Sequence, residues 1–306
     1  MIYTTRLLHT TADAALLDAF LKPHTAAAFH IRSNAAKAGL VYHGNPYEAE
    51  YLGAFNGERL VGVVGYNWRH TLLLYIEELG CIPLLAHALV PLIQQRGGVL
   101  EGILGLPQHC QPLIATLNLP DHCFRCKKPE RLYGLALHDL SASPLLQDPT
   151  YHVRRAIPSD AELLYQWNIA FDIEALHTVP GTTLEQNTVA KIDRRIALRE
   201  LFLLEHDAEP LAFCGISGFL MEVMYIGSVY TPPPLRNRGY AKAVTAGAIF
   251  QRHQEQPSLQ QAILIVENSA AKRAYQAIGF QKISDYQLTL VREDYRYIPH
   301  QEQARE

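Results

Sequence analysis

Residues Val229–Ile249 read VYTPPPLRNRGYAKAVTAGAI, and the order of residue types there decides the fold. An apolar stretch stops at three successive prolines, Pro232–Pro234. Two arginines follow within Arg236-x-x-Gly239-x-Ala241, and an apolar-rich helical pattern begins at once. Proline has no amide N–H and closes a strand. A helix N-terminus leaves amide hydrogens unsatisfied and carries a positive partial charge, which makes it an anion site. Gly239 and Ala241 have little or no side chain, so an anion can approach the backbone closely. Arg236 and Arg238 add fixed cations, and the prolines limit the freedom lost on binding. The turn reads as a cradle for a pyrophosphate.

Outward from that turn, the chain reads twice in the same order, about 150 residues apart. YLGAFNGERLVGVVGYNW holds two apolar runs around Asn56-Gly57, a strong hairpin signal, and LFLLEHDAEPLAFCGISG repeats it around Asp207. A third strand follows each (Thr71–Glu77; Glu222–Tyr230), then a helix (Ile82–Arg96, ended by Gly97-Gly98; Tyr240–Arg252). Next come a strand (Leu100–Leu106; Gln261–Val266), a short helix and a final strand (Arg131–Leu137; Tyr286–Val291). The second half opens with a strand at His152–Ala156. Capping boxes at Ser159/Glu162 and Thr183/Gln186 then predict helices to about Ala170 and Arg199. This order predicts an α/β (α+β) fold of two similar domains, each a mixed twisted sheet with helices on both faces. The expected boundaries are 1–140 and 151–306, with the aperiodic, proline-containing 141–150 as linker.

A second motif stands downstream: ILIVENSAAKRAYQAIGF places Asn268 after a strand, then Tyr275 and Gly279-Phe280 at helical spacing. The two motifs together resemble the GCN5-related N-acetyltransferases, over about Tyr151–Tyr297. Their pyrophosphate loop is Arg/Gln-x-x-Gly-x-Gly/Ala at a strand-to-helix junction. The resemblance implies acyl-CoA-dependent N-acyl transfer, with acetyl-CoA as cosubstrate, no metal and a small-molecule primary amine as acceptor. It implies that Arg236, Asn237, Arg238, Gly239, Tyr240 and Ala241 hold the pyrophosphate. Val229, Tyr230 and Thr231 would bind the pantetheine arm at a splayed strand end, with Asn268 assisting or capping its helix. Tyr275 is the implied general acid, since a phenol stays protonated at neutral pH. The first half would be a degenerate copy: after TLLLYIEELG no Arg-x-x-Gly-x-Ala follows, and about Gln108 and Ala115 stand in place of Asn268 and Tyr275.

The base is less determined. Some members of the family carry a carboxylate on the central strand, near the position of Tyr225. Glu222 lies three residues earlier and by alternation faces away from it. Glu174 and His177, in the loop expected after the first helix, flank the acceptor position. The alternatives are a non-catalytic coenzyme A-binding or regulatory module of the same fold, or an aminoacyl- or peptide-type acyltransferase.

Composition bounds the rest. The chain has 306 residues, 48% apolar and 19% charged, with a net charge of −3, so no global attraction to nucleic acid or anionic membrane is expected. No apolar run spans a bilayer and the N-terminus lacks a signal-peptide core, so a cytoplasmic location is expected. Five cysteines, an odd number, read as reduced thiols. Cys123-x-x-Cys126 is half of a zinc pattern and is read as thiols in a loop before a strand.

Overall fold

The protein is described by a computed structural model covering residues 2–299; Met1 and residues 300–306, the outer ends of the two expected domains, lie outside the described residues. The chain forms two compact units: Met1–Glu130 with Ser284–Glu306, and Arg131–Ile283.

In the first unit, β1 (Tyr3–Leu8), α1 (Thr11–Leu21) and α2 (Phe29–Ala38) precede the meander β2 (Ala49–Asn56), β3 (Arg59–Asn67) and β4 (Thr71–Ile76). Helix α3 (Ile82–Gln95) then leads to β5 (Gly102–Gly105), α4 (Pro107–Thr116) and β6 (Phe124–Ala136). In the second half β7 (Tyr151–Arg155), α5 (Ala161–Leu176) and α6 (Thr182–Ala197) precede β8 (Leu201–His206), β9 (Glu209–Leu220) and β10 (Val223–Tyr230). They are followed by α7 (Tyr240–Glu255), β11 (Gln261–Val266), α8 (Ser269–Gln276) and β12 (Gln281–Val291).

The sheets obey one plan. The first runs β1-β2-β3-β4-β5-β12 and the second β7-β8-β9-β10-β11-β6. In each, only one neighbouring pair is parallel: β4 with β5, and β10 with β11. The alternation of the strands buries both faces. In the first unit, α1 and α2 cover a core with Leu17, Ile31, Tyr51 and Val63, while α3 and α4 cover one with Val64, Leu74, Leu85 and Leu113. In the second, α5 and α6 cover Leu164, Ile192 and Phe213, and α7 and α8 cover Met224, Ile226, Ile249 and Phe280. The duplicated mixed sheet with helices on both faces is therefore the observed fold.

Three local expectations change. The units do not follow the boundaries 1–140 and 151–306, because each half supplies the closing strand of the other unit. Arg131–Ala136 of β6 pair with β11, and Gln287–Leu290 of β12 pair with β5. The segment 141–150 packs within the second unit instead of standing free: Ser143 is fully buried, and Leu145 and Leu146 lie on the α7/α8 core. Neither expected capping box closes its helix. At α5 the carboxylate of Asp160 takes the Ile157 amide at 2.8 Å and is held by both terminal nitrogens of Arg154. Helix α6 begins at Gly181 without a side-chain cap.

Candidate active site

Strands β10 and β11 run parallel from Val223–Ile226 against Gln261–Leu264 and then part, although β10 continues to Tyr230 and β11 to Val266. The cause is local. Between Tyr225 and Val229 the register of β10 against β9 shifts twice, and an inserted residue bends a strand away from its neighbour. Gly227 permits this: a Cβ there would lie 1.8 Å from Ser217 Oγ. Beneath the bulge lies Arg195 of α6, 4% exposed. It donates to Ser228 Oγ at 3.0 Å and to Ser217 Oγ at 3.2 Å, and its Nε stands 3.6 Å from Glu200. Burial lowers its pKa and Glu200 opposes that. Sequence reading missed Arg195; its signal is a cation on the apolar stripe of Ile192 and Ile196.

Following β10, the prolines form a short 3-10 turn at Pro233–Leu235, and α7 starts at Tyr240 with Gly239 as N-cap. Asn237 (φ 64°) and Gly239 (φ 85°) occupy the left-handed region, tolerated by asparagine and glycine. No side chain caps α7, and the amides from Asn237 to Ala241 have no acceptor among the described residues. They border an open cavity of about 470 Å³ lined by Asn237, Arg238, Gly239 and Lys242 and, opposite, by Pro144, Leu145, Asp148 and Tyr151. Lys242, in the first turn of α7, and Tyr151 are further wall residues that the motif did not include. The chemistry is that of an anion site with two cations beside unpaired amides.

The expected residues divide. Val229, Tyr230 and Thr231 lie on or just past the diverging end of β10. Arg236 turns away from the cradle: its terminal nitrogen donates to Glu174 Oε2 at 2.6 Å and its Nε to the Thr231 carbonyl at 2.9 Å. Glu174 lies on the last turns of α5, not in a loop, and is brought to the cleft by that pair. His177 caps α5 in a left-handed conformation and is exposed. Asn268 is the N-cap of α8, its Oδ1 accepting from Ala270 at 2.8 Å and Ala271 at 3.3 Å, so its oxygen is committed to the helix. Tyr275 is buried against Phe280, ring centroids 5.9 Å apart, and burial holds its phenol above the usual tyrosine range.

Glu222 does not join this group. It is an exposed turn residue between β9 and β10, and its carbonyl accepts the amides of Gln260 and Gln261. At about 3.3 Å per strand residue it stands roughly 20 Å from Val229, at the paired end of β10. Strand alternation bears on which face a residue takes and not on its distance along the strand, and Glu222 precedes β10. Cys214 lies in the core, where burial pushes its thiol up to about 12.

The counterpart in the first unit is built differently. Before α3 come Glu77 and Glu78 in place of arginines, and Pro83, without an amide hydrogen, occupies the helix's first turn. An anion is disfavoured there on both counts. Where β4 and β5 part after Leu73 and Leu104, the buried His109 ring meets Tyr75 edge-on at 5.3 Å, and His24 stacks on Tyr75 at 4.5 Å. Cys123 ends a short 3-10 turn and Cys126 lies on β6 rather than in a loop; both are buried and neither forms a disulfide. Among the described residues no group of three or more His, Cys, Asp or Glu could hold a metal ion, and no helix is long and apolar enough to cross a membrane.

Residues 162–280 match the profile of the acetyltransferase (GNAT) family. Among solved structures, a GCN5-related N-acetyltransferase from Sphaerobacter thermophilus aligns with a TM-score of 0.58 at 15% identity, covering 97% of each chain. A Drosophila protein aligns at 0.61 with 13% identity, over 94% of this chain and 98% of its own. A tandem GNAT protein from the clavulanic acid biosynthesis pathway aligns at 0.52 with 12% identity, over 95% and 98%. No curated protein matches the sequence significantly. Residues 162–280 thus carry the match to the acetyltransferase (GNAT) family model, within a chain whose duplicated fold is similar to that of a tandem GNAT protein.

Proposed function

We propose that the protein is an acyl-CoA-dependent N-acyltransferase that moves an acetyl group from acetyl-CoA to a primary amine of a small molecule. The observation that carries this reading is the set of unpaired amides at Asn237–Ala241, next to a strand pair that opens after Ile226. These residues fit the donor: Gly239 keeps the backbone open, and Arg238 and Lys242 supply charge beside the amides. Bound acetyl-CoA supplies the acyl group as an activated thioester. Main-chain groups of Val229–Thr231, released from pairing with β11, orient the donor's arm, and amides there polarise the carbonyl. The Tyr275 phenol, kept protonated by burial, is the proton donor for the departing thiolate. The second unit is the catalytic one, and the first, with Glu77 and Glu78 before α3, supports it without turnover.

One observation favours the non-catalytic alternative: Glu222 lies at the far end of β10 and Glu174 is paired with Arg236, leaving neither carboxylate at hand as the base. Calorimetry with acetyl-CoA, followed by an amine panel monitored for free thiol, separates the two. Binding with thiol release supports the enzyme; binding without release from any amine supports the module; no binding removes both.

A further inference from the structure

We propose that Glu174, the Thr231 carbonyl and the Tyr230 ring form a binding site for the acceptor's ammonium group, occupied by Arg236 until the donor's pyrophosphate draws the guanidinium away. The proposal rests on the acyl-transfer reading above and deepens it.

Three kinds of group converge on one cation. Arg236 donates to the Glu174 carboxylate at 2.6 Å and to the Thr231 carbonyl at 2.9 Å, and its guanidinium carbon lies 5.7 Å from the centre of the Tyr230 ring. A carboxylate, a carbonyl and an aromatic face are what a primary ammonium requires: charge compensation, acceptors for its three N–H groups and a π surface. Trp167, its ring 6.5 Å from that of Tyr230, extends the aromatic wall. The protein's own side chain thus fills a cation cage beside the strand end assigned to the donor's arm.

The occupant is one that can leave. Arg236 opens the turn whose amides lack partners, so a pyrophosphate held there competes with Glu174 for the same guanidinium. The existing pair is half-exposed, 36% at Arg236 and 50% at Glu174, and such pairs are weak. A pyrophosphate carries more negative charge than one carboxylate and forms bidentate bonds with arginine. Once Arg236 swings to it, Glu174 is left without its counter-ion, and the cage favours a cation from solution. Donor and acceptor are thereby coupled through one exchanged side chain, and by linkage each tightens the other.

The test is calorimetry with coenzyme A on wild type, Glu174→Gln and Arg236→Gln, each repeated with butane-1,4-diamine as the cationic probe and each variant's melting temperature recorded. Glu174→Gln removes the competitor, so coenzyme A binds about two- to five-fold tighter, the range a surface ion pair allows. The diamine tightens coenzyme A on wild type and has no such effect on Glu174→Gln. Arg236→Gln empties the cage, so it binds the diamine without coenzyme A, a readout independent of the donor. Unchanged or weaker coenzyme A affinity in a stably folded Glu174→Gln overturns the exchange. A diamine effect equal in wild type and Glu174→Gln, or no diamine binding to Arg236→Gln, overturns the cage. Wild type that binds no coenzyme A overturns the acyl-transfer reading itself, whereas the other failures sink this inference alone.

Discussion

Arg195 on α6 reaches the hydroxyl of Ser228 on β10 at 3.0 Å, so a buried guanidinium fastens a helix to the bulge at which the central strands separate. Its position excludes a side chain at residue 215, where a Cβ would meet its terminal nitrogen at 2.2 Å. Arg195→Ala leaves Glu200 without its counter-ion and Ser217 and Ser228 without their donor, and opens a void. The expected loss is about 3 kcal/mol or more, as for other buried ion pairs stripped of one partner. Urea unfolding measures it, and a change below about 1 kcal/mol would show that the clamp carries little.

Tyr275→Phe keeps the ring that packs on Phe280 and removes only the hydroxyl. Folding and coenzyme A affinity are expected to stay near wild type. Turnover should fall about 100-fold or more, in the range of general acid catalysis. A thiol-release assay reads this directly; a variant with full turnover would show that the leaving thiolate takes its proton elsewhere.

Gly239→Glu puts a charged side chain at the N-cap, where the backbone is left-handed at φ 85°. The strain costs about 1–2 kcal/mol, and the carboxylate repels the anion that the cradle serves. Coenzyme A affinity is expected to drop at least about tenfold, since the added carboxylate stands among the amides proposed to face the diphosphate and a tenfold change needs only about 1.4 kcal/mol. Equal calorimetric affinity would take the turn out of the site.

His109 gives the first unit a pH dependence. Burial lowers its pKa to about 4 from an ordinary 6.5, with His24 adding to the effect. The neutral ring is the folded form, so its contribution is complete above pH 6.5 and is lost as pH falls from 6.5 towards 4. The loss is on the order of 2–3 kcal/mol. His109→Phe, which keeps an aromatic edge against Tyr75, should lessen the fall in thermal stability across that window and leave the part due to His30, which burial likewise lowers to about 4; an unaltered slope would place the titration elsewhere.

Much of this architecture is written in local patterns. Alternating apolar runs around Asn56-Gly57 and Asp207 set the hairpins, and Gly97-Gly98 ends α3, because strand period and left-handed glycine are properties of short segments. The abrupt turn into α7 was equally legible, since prolines, glycine and arginines act within a few residues of one another. At α5 the expected capping box gave way to Asp160, which takes the Ile157 amide while Arg154 of β7 holds its carboxylate.

What the sequence determined by itself was therefore the duplicated order of strands and helices and the free amides ahead of α7, both short-range consequences of residue type. Only the tertiary structure decided that each half closes its sheet with the other half's last strand, that Arg195 underlies the bulge, and that Arg236 faces Glu174, 62 residues earlier. Such pairings depend on which chemically similar partners the packed sheet brings within 3 Å, and linear spacing carries no record of that.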